Sequence, residues 1–135
     1  MRIMAIDYGD ARTGIAVSDK SATLTGDAWV VQGRKANDIA SIIVSEAAAR
    51  DVVRIVVGHP KNMDGTTGTR AEKCEQLAEL LRSMCKVEII LWDERMTTIS
   101  ANKILTETGK FGKNRKKTID AVAASLILEG YLGSL

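Results

Sequence analysis

Met1-Arg2-Ile3-Met4-Ala5-Ile6-Asp7-Tyr8-Gly9-Asp10-Ala11-Arg12-Thr13-Gly14-Ile15-Ala16-Val17-Ser18-Asp19 opens the chain and decides how the rest is read. An apolar run stops at a carboxylate, a Gly/Asp turn follows, and a second apolar run returns. That is the pattern of a buried strand, a tight turn and an antiparallel partner, with Asp7 at the mouth of the hairpin. Asp is also a common turn residue whose side chain satisfies local backbone donors, so Asp7 alone has an ordinary structural explanation. Two further acidic positions, Asp93-Glu94 and Asp120, also fall at the ends of predicted elements. Three carboxylates brought from scattered positions to element ends are what a divalent-metal site requires.

The chain around this hairpin has 135 residues, 45% of them apolar, enough to bury a core without disulfides or a structural metal, so a single domain spanning residues 1–135 is expected. The net charge of +2 is small, but the basic residues are concentrated in the C-terminal third. Cys74 and Cys85 fall on one predicted helix, without metal-ligand spacing or a neighbouring histidine, and read as thiols of a reduced, cytoplasmic protein. No segment approaches the roughly 18 consecutive apolar residues of a membrane span, and no secretory leader is evident. Neither secretion nor a membrane is expected.

Thr23 to Gln32, with Ala28-Trp29-Val30-Val31, predicts a third strand extending the hairpin into a meander. Asn37 is a suitable N-cap for a helix with Ile39, Ile42, Ile43 and Ala47 on one face. The β-branched run Val52–Val57 predicts a strand covered on both faces, parallel to the first and ended by Gly58-His59-Pro60. A turn-rich loop from Pro60 to Thr69 leads to Thr69-Arg70-Ala71-Glu72, which has the form of a capping box. The helix after it carries Ala71, Cys74, Leu77, Ala78, Leu81, Met84 and Cys85 as one stripe. Val87–Trp92 predicts another strand, ending in Asp93-Glu94-Arg95, with a helix capped by Thr97 or Thr98 running to Gly109. Lys110-Phe111-Gly112-Lys113-Asn114-Arg115-Lys116-Lys117 reads as a flexible basic loop with five positive charges in eight residues. The last helix, from about Thr118 to Leu132, places Ile119, Val122, Ala123 and Leu126 on one face and Asp120 in its first turn, where an acid also suits the helix macrodipole.

Three antiparallel strands followed by alternating helices and parallel strands, with acids at strand ends and on the final helix, match the plan of the ribonuclease H-like fold. The expected class is α/β, with a five-stranded mixed sheet flanked by helices. Four blocks go further: Ile6-Asp7-Tyr8-Gly9 with Arg12-Thr13-Gly14-Ile15-Ala16-Val17-Ser18-Asp19; Val57-Gly58-His59-Pro60-Lys61-Asn62-Met63-Asp64-Gly65; Asp93-Glu94-Arg95-Met96-Thr97-Thr98; and Lys116-Lys117-Thr118-Ile119-Asp120-Ala121-Val122-Ala123-Ala124. In order and over the full length of the chain they closely resemble the YqgF family.

The resemblance implies a cytoplasmic nuclease related to the Holliday-junction resolvase RuvC, acting in ribosome biogenesis on the 5′ end of pre-16S ribosomal RNA. It assigns Asp7, Glu94 and Asp120 to catalysis, and the same acids with Asp93 to metal binding. Side chains alternate along a strand, so only one of Asp93 and Glu94 faces the site, and Glu94 is favoured. The implied cofactor is a pair of Mg²⁺ or Mn²⁺ ions, and the implied partner is nucleic acid, either precursor rRNA or branched DNA. Arg12, Arg95, Lys113, Arg115, Lys116 and Lys117 would hold backbone phosphates. His59 stands where relatives more often carry an aliphatic residue, and a packed or surface histidine is expected. Two rivals stay open: a phosphate-binding ATPase or sugar-kinase-like module, which normally closes two such domains on a nucleotide, and a catalytically silent nucleic-acid-binding module. The oligomeric state, monomer or homodimer, is not legible.

Overall fold

The computed structural model describes residues 1–22, 24–33, 35–60, 68–93 and 115–135, apart from the side chains of residues 115–118. The elements are β1 (Arg2–Tyr8), β2 (Arg12–Ser18), β3 (Thr25–Gln32), α1 (Ala36–Ala49), β4 (Val52–His59), α2 (Thr69–Met84), β5 (Glu88–Asp93) and α3 (Arg115–Gly133). The five strands form one sheet in the order β3-β2-β1-β4-β5. β1 pairs antiparallel with β2 and parallel with β4, so the sheet changes sense along β1. β2–β3 is antiparallel and β4–β5 parallel. The predicted meander and parallel pair are therefore both present.

Alternation along the strands divides the core into two layers. Met4, Ile6, Ile15, Val17, Ile55, Val57 and Ile89 pack with Ile39 and Ile43 of α1 and Cys74, Leu77 and Leu81 of α2. On the other face Ile3, Ala5, Ala16 and Val56 pack with Ala124, Ile127, Leu128 and Tyr131 of α3, and Ile90 and Trp92 join them. β1 and β4 are covered on both sides, which is why they read as nearly unbroken apolar runs.

Several boundaries differ from the sequence reading for physical reasons. The N-cap of α1 is Lys35 and that of α2 is Gly68, and neither helix has a side-chain cap, so Asn37 is not the cap and Thr69-Arg70-Ala71-Glu72 is not a capping box. Glycine at an N-cap costs only a few tenths of a kcal/mol, and packing of the apolar faces sets where these helices begin. β4 continues to His59 because Gly58 and His59 pair with Trp92 and Asp93 of β5, and the strand yields only at Pro60.

The basic segment is not wholly loop: Arg115, Lys116 and Lys117 form the start of α3, which suits their straight-chain helix propensity. Asp120 consequently lies beyond the first turn, which contains no acid. The macrodipole explanation of Asp120 loses its basis, because that effect fades within a turn. The buried stripe of α3 is Ala123, Ala124, Ile127, Leu128 and Tyr131, whereas Val122 and Leu126 are only half-buried. This helix is apolar most of the way round, so several stripes fit its sequence, and the small Ala123-Ala124 pair is the one that allows close approach to the sheet. The helix expected over residues 97–109 and the loop residues 61–67 lie outside the described residues.

Candidate active site at the carboxyl end of the sheet

Asp7 is the penultimate residue of β1, on the same side of the strand as Ile3 and Ala5, and so on the α3 face. Its cross-strand partner on β2 is Gly14. A Cβ built on Gly14 would lie 2.0 Å from the Asp120 carbonyl oxygen, so the space of the missing side chain is filled by the backbone of α3. Glycine inside a strand often marks such a close approach. Here it brings the segment carrying Asp120 against the strand position opposite Asp7. Gly9 does a related service in the β1–β2 turn, where a Cβ would meet the Arg12 carbonyl oxygen at 2.4 Å.

Burial of Asp7 and the nearby Asp120 carboxylate both raise its pKa, burial more strongly, while Arg70 opposes them, and the balance leaves it raised to about 6. Asp7 is 8% exposed. Each acid is met by an arginine: Arg12 Nε lies 3.2 Å from Asp120 Oδ2 and donates to it, and Arg70 Nη2 lies 3.8 Å from Asp7 Oδ1. Arg70 also donates to the Tyr8 carbonyl at 3.5 Å. Gly9, Asp10, Ala11, Arg12, Arg70 and Asp120 line a cleft of about 250 Å³. Asp10 at its rim is tied to Lys73 of α2 at 3.0 Å. Helices from opposite faces of the sheet thus each send a side chain to one cleft at the end of β1, α3 the Asp120 carboxylate and α2 the Arg70 guanidinium.

The fold brings Asp7, Asp120 and Arg12 to one place. Glu94, Arg95 and Lys113 lie outside the described residues, and the side chains of Arg115, Lys116 and Lys117 are likewise not described. Asp93 ends β5 after Ile89 and Leu91 on the α1/α2 side and Ile90 and Trp92 on the α3 side, so the alternation assigns it to the face away from Asp7. His59 is buried under α2, with Nε2 3.4 Å from Glu75 Oε1, and not in the cleft. Sequence reasoning missed Arg70, which reads there only as part of a helix start. The one available signal was its place in the first turn after a loop at the sheet's carboxyl end.

Among the described residues no three His, Cys, Asp or Glu side chains group in a way that could hold a metal ion; Asp7 and Asp120 supply two carboxylates. They suit a hard divalent cation. A buried carboxylate next to a second one is costly to ionise without a counter-charge, and all-oxygen donors are those that Mg²⁺ and Mn²⁺ accept.

Residues 1–134 match the family model described as RuvX: Holliday junction resolvase. The chain belongs to this family. It is 42% identical over 133 residues to a protein of Halothermothrix orenii named "Putative pre-16S rRNA nuclease", covering 98% of this chain and 94% of the relative. A Bacillus cytotoxicus protein of the same name is 42% identical over 142 residues, covering 99% of both. The solved structure of Thermus thermophilus RuvC in complex with a Holliday junction substrate superposes with a TM-score of 0.63 at 14% identity, covering 99% of this chain and 97% of that one. At that identity the likeness concerns the fold, which is the ribonuclease H-like fold expected from the order of elements. RuvX membership over the whole matched length also argues against the ATPase or sugar-kinase-like alternative.

Proposed function

We propose that this RuvX-family chain is a divalent-metal-dependent nuclease of the cytoplasm that hydrolyses phosphodiester bonds at the 5′ end of pre-16S rRNA. The observation that carries the reading is the buried Asp7 carboxylate close to Asp120 at the end of β1, next to a cleft lined by Asp120, Arg12 and Arg70. The relatives' names support the rRNA precursor as substrate. The family description favours a second reading on the same site, cleavage of branched DNA.

Asp7 and Asp120 would hold the cations, with Glu94 as third ligand, since the alternation of β5 turns Asp93 to the face away from Asp7. Bound there, Mg²⁺ or Mn²⁺ supplies charge compensation at the attacking water and at the leaving oxygen. The chain's own residues do the rest. The strand backbone and the α3 contact at Gly14 hold Asp7 and Asp120 in place before substrate arrives. Arg12 offers the guanidinium N–H groups not used on Asp120 to a backbone phosphate, and Arg95, Lys113, Arg115, Lys116 and Lys117 extend that grip along the nucleic-acid strand. Such contacts position the nucleic acid and carry no base sequence, so selectivity would come from substrate shape.

The test is single-turnover cleavage of a pre-16S 5′ leader RNA and a four-way DNA junction with Mg²⁺ or Mn²⁺, for wild type and Asp7→Asn. Wild type should cut the RNA faster than the junction, and faster cutting of the junction would establish the second reading instead. Asp7→Asn should lose at least about a hundredfold in rate while its affinity stays within about threefold, since a missing carboxylate ligand should cost several kcal/mol and each 1.4 kcal/mol is tenfold. A mutant cutting within about threefold of wild type would show Asp7 to be a turn residue, a role Asn fills as well.

A further inference from the structure

Arg70 belongs to none of the sequence blocks that carry the family resemblance, yet it is one wall of the cleft. It sits in the first turn of α2, next to Ala71, which is fully buried and starts the stripe that seats this helix on the sheet. The backbone that carries the side chain is therefore seated on the sheet through its neighbour. The side chain itself is 60% exposed. Its contact to the Tyr8 carbonyl, at 3.5 Å, is at the outer limit of a hydrogen bond, and at 3.8 Å from Asp7 it is an ion pair without one. A guanidinium carries five N–H donors in a planar fork matched to phosphate, and two long contacts occupy few of them. Across the cleft Arg12 is held to Asp120 through Nε, leaving its terminal nitrogens for another partner.

We propose that Arg70 is a phosphate ligand of the substrate, forming with Arg12 a two-sided arginine clamp that seats a backbone phosphodiester beside Asp7 and Asp120. The proposal rests on the nuclease reading above. Without ligand the two guanidiniums serve as counter-ions to the two carboxylates. With a cation on the carboxylates that service is no longer needed, and the loosely held Arg70, with the terminal nitrogens of Arg12, can turn to the phosphate. An arginine placed only for solubility would have no reason to face a buried acid across a cleft walled by a second arginine.

The test uses the full chain and Ca²⁺, a hard cation that takes the same oxygen ligands, with labelled pre-16S leader RNA and the four-way junction as probes. Anisotropy titrations between roughly 50 and 200 mM KCl give the slope of log affinity against log salt. Arg70→Gln should lower that slope by about 0.7 to 0.9, as expected when one phosphate is no longer neutralised. Arg70→Lys should keep the slope, because the charge stays, yet cut at least about tenfold more slowly with Mn²⁺, because the planar fork is gone. Both variants should be fully folded at the assay temperature, with Arg70→Gln melting somewhat lower in the absence of metal because Asp7 loses its counter-charge. An Arg70→Gln slope equal to that of wild type overturns the clamp and leaves Arg70 as a counter-ion of Asp7. So does full cleavage activity in Arg70→Gln. A wild type that binds both probes but cuts neither with Mg²⁺ or Mn²⁺ counts against the nuclease reading, and the slope still decides the clamp.

Discussion

Asp7 combines two properties that a turn residue does not need: it is buried, and it has a second carboxylate for a neighbour. Its pKa is raised from 3.8 to about 6, so the folded protein holds this proton more tightly than the unfolded chain does. The resulting stability is present in full below about pH 3.8 and is lost as pH rises through about 6. The difference of about two pH units is worth about 3 kcal/mol. In chelator, Asp7→Asn should therefore be more stable than wild type by up to about 3 kcal/mol at pH 8, with the advantage gone near pH 4. Urea melts of both proteins across that range check this. Added Mg²⁺ should narrow the gap at pH 8 by stabilising wild type alone, because a bound cation favours the ionised carboxylate that Asn lacks.

Among the elements, the site depends on how closely α3 can approach β2. Gly14→Ala would put a methyl group 2.0 Å from the Asp120 carbonyl oxygen, a backbone atom that moves only if the helix moves. Stability should fall by about 1–3 kcal/mol, the usual cost of overpacking, and cleavage should fall by more than that destabilisation explains, because Asp120 moves with the helix. Cleavage rates at a temperature where the variant is fully folded separate the two effects. The α1–β4 connection gives a prediction of opposite sign. Asp51 follows the C-cap residue Arg50 with φ of +55°, a left-handed conformation that glycine adopts more easily. Asp51→Gly should raise stability by about 0.5–1 kcal/mol without changing cleavage, which thermal melts and the same assay check.

Over the described residues, positive charge gathers at the end of β1. Arg12, Arg70 and Lys73 stand around the end of β1, and the basic residues from Lys110 to Lys117 lead into the helix that carries Asp120. A net charge of +2 conceals that Arg12, Arg70 and Lys73 stand around the acidic end of β1. Replacing Lys113, Arg115, Lys116 and Lys117 together with Ala should weaken binding to RNA and DNA alike and flatten the salt dependence by about 0.7 to 0.9 for each phosphate no longer neutralised. An unchanged slope in the same anisotropy titration would make these residues ordinary solvated charges. No helix among the described residues is long and apolar enough to cross a membrane.

Periodicity and residue type along the chain were enough to specify the sheet, its two-sided core, and the acids that end β1 and occupy the last helix. Those features follow from residues within a few positions of one another: Ile3 to Tyr8 alternates between two covered faces, and the chain can only stop such a strand with something polar. The same local reading could not show that Gly14 is the seat of Asp120, since the reason for that glycine lies more than a hundred residues away in a helix from the other end of the chain. Nor could it assign Asp93 to one face, which depends on the register that sends Trp92 toward α3. The place of His59 was equally open from its neighbours in sequence, and it is the packing of α2 that sets it beneath Glu75. Arg70 carried only a weak local mark, its place in the first helical turn after a loop. Its meaning comes from the distance between a helix start and a strand end, and such distances are set by tertiary packing, because local pattern records how a segment buries its own apolar face and not which polar groups are left facing each other when the faces are closed.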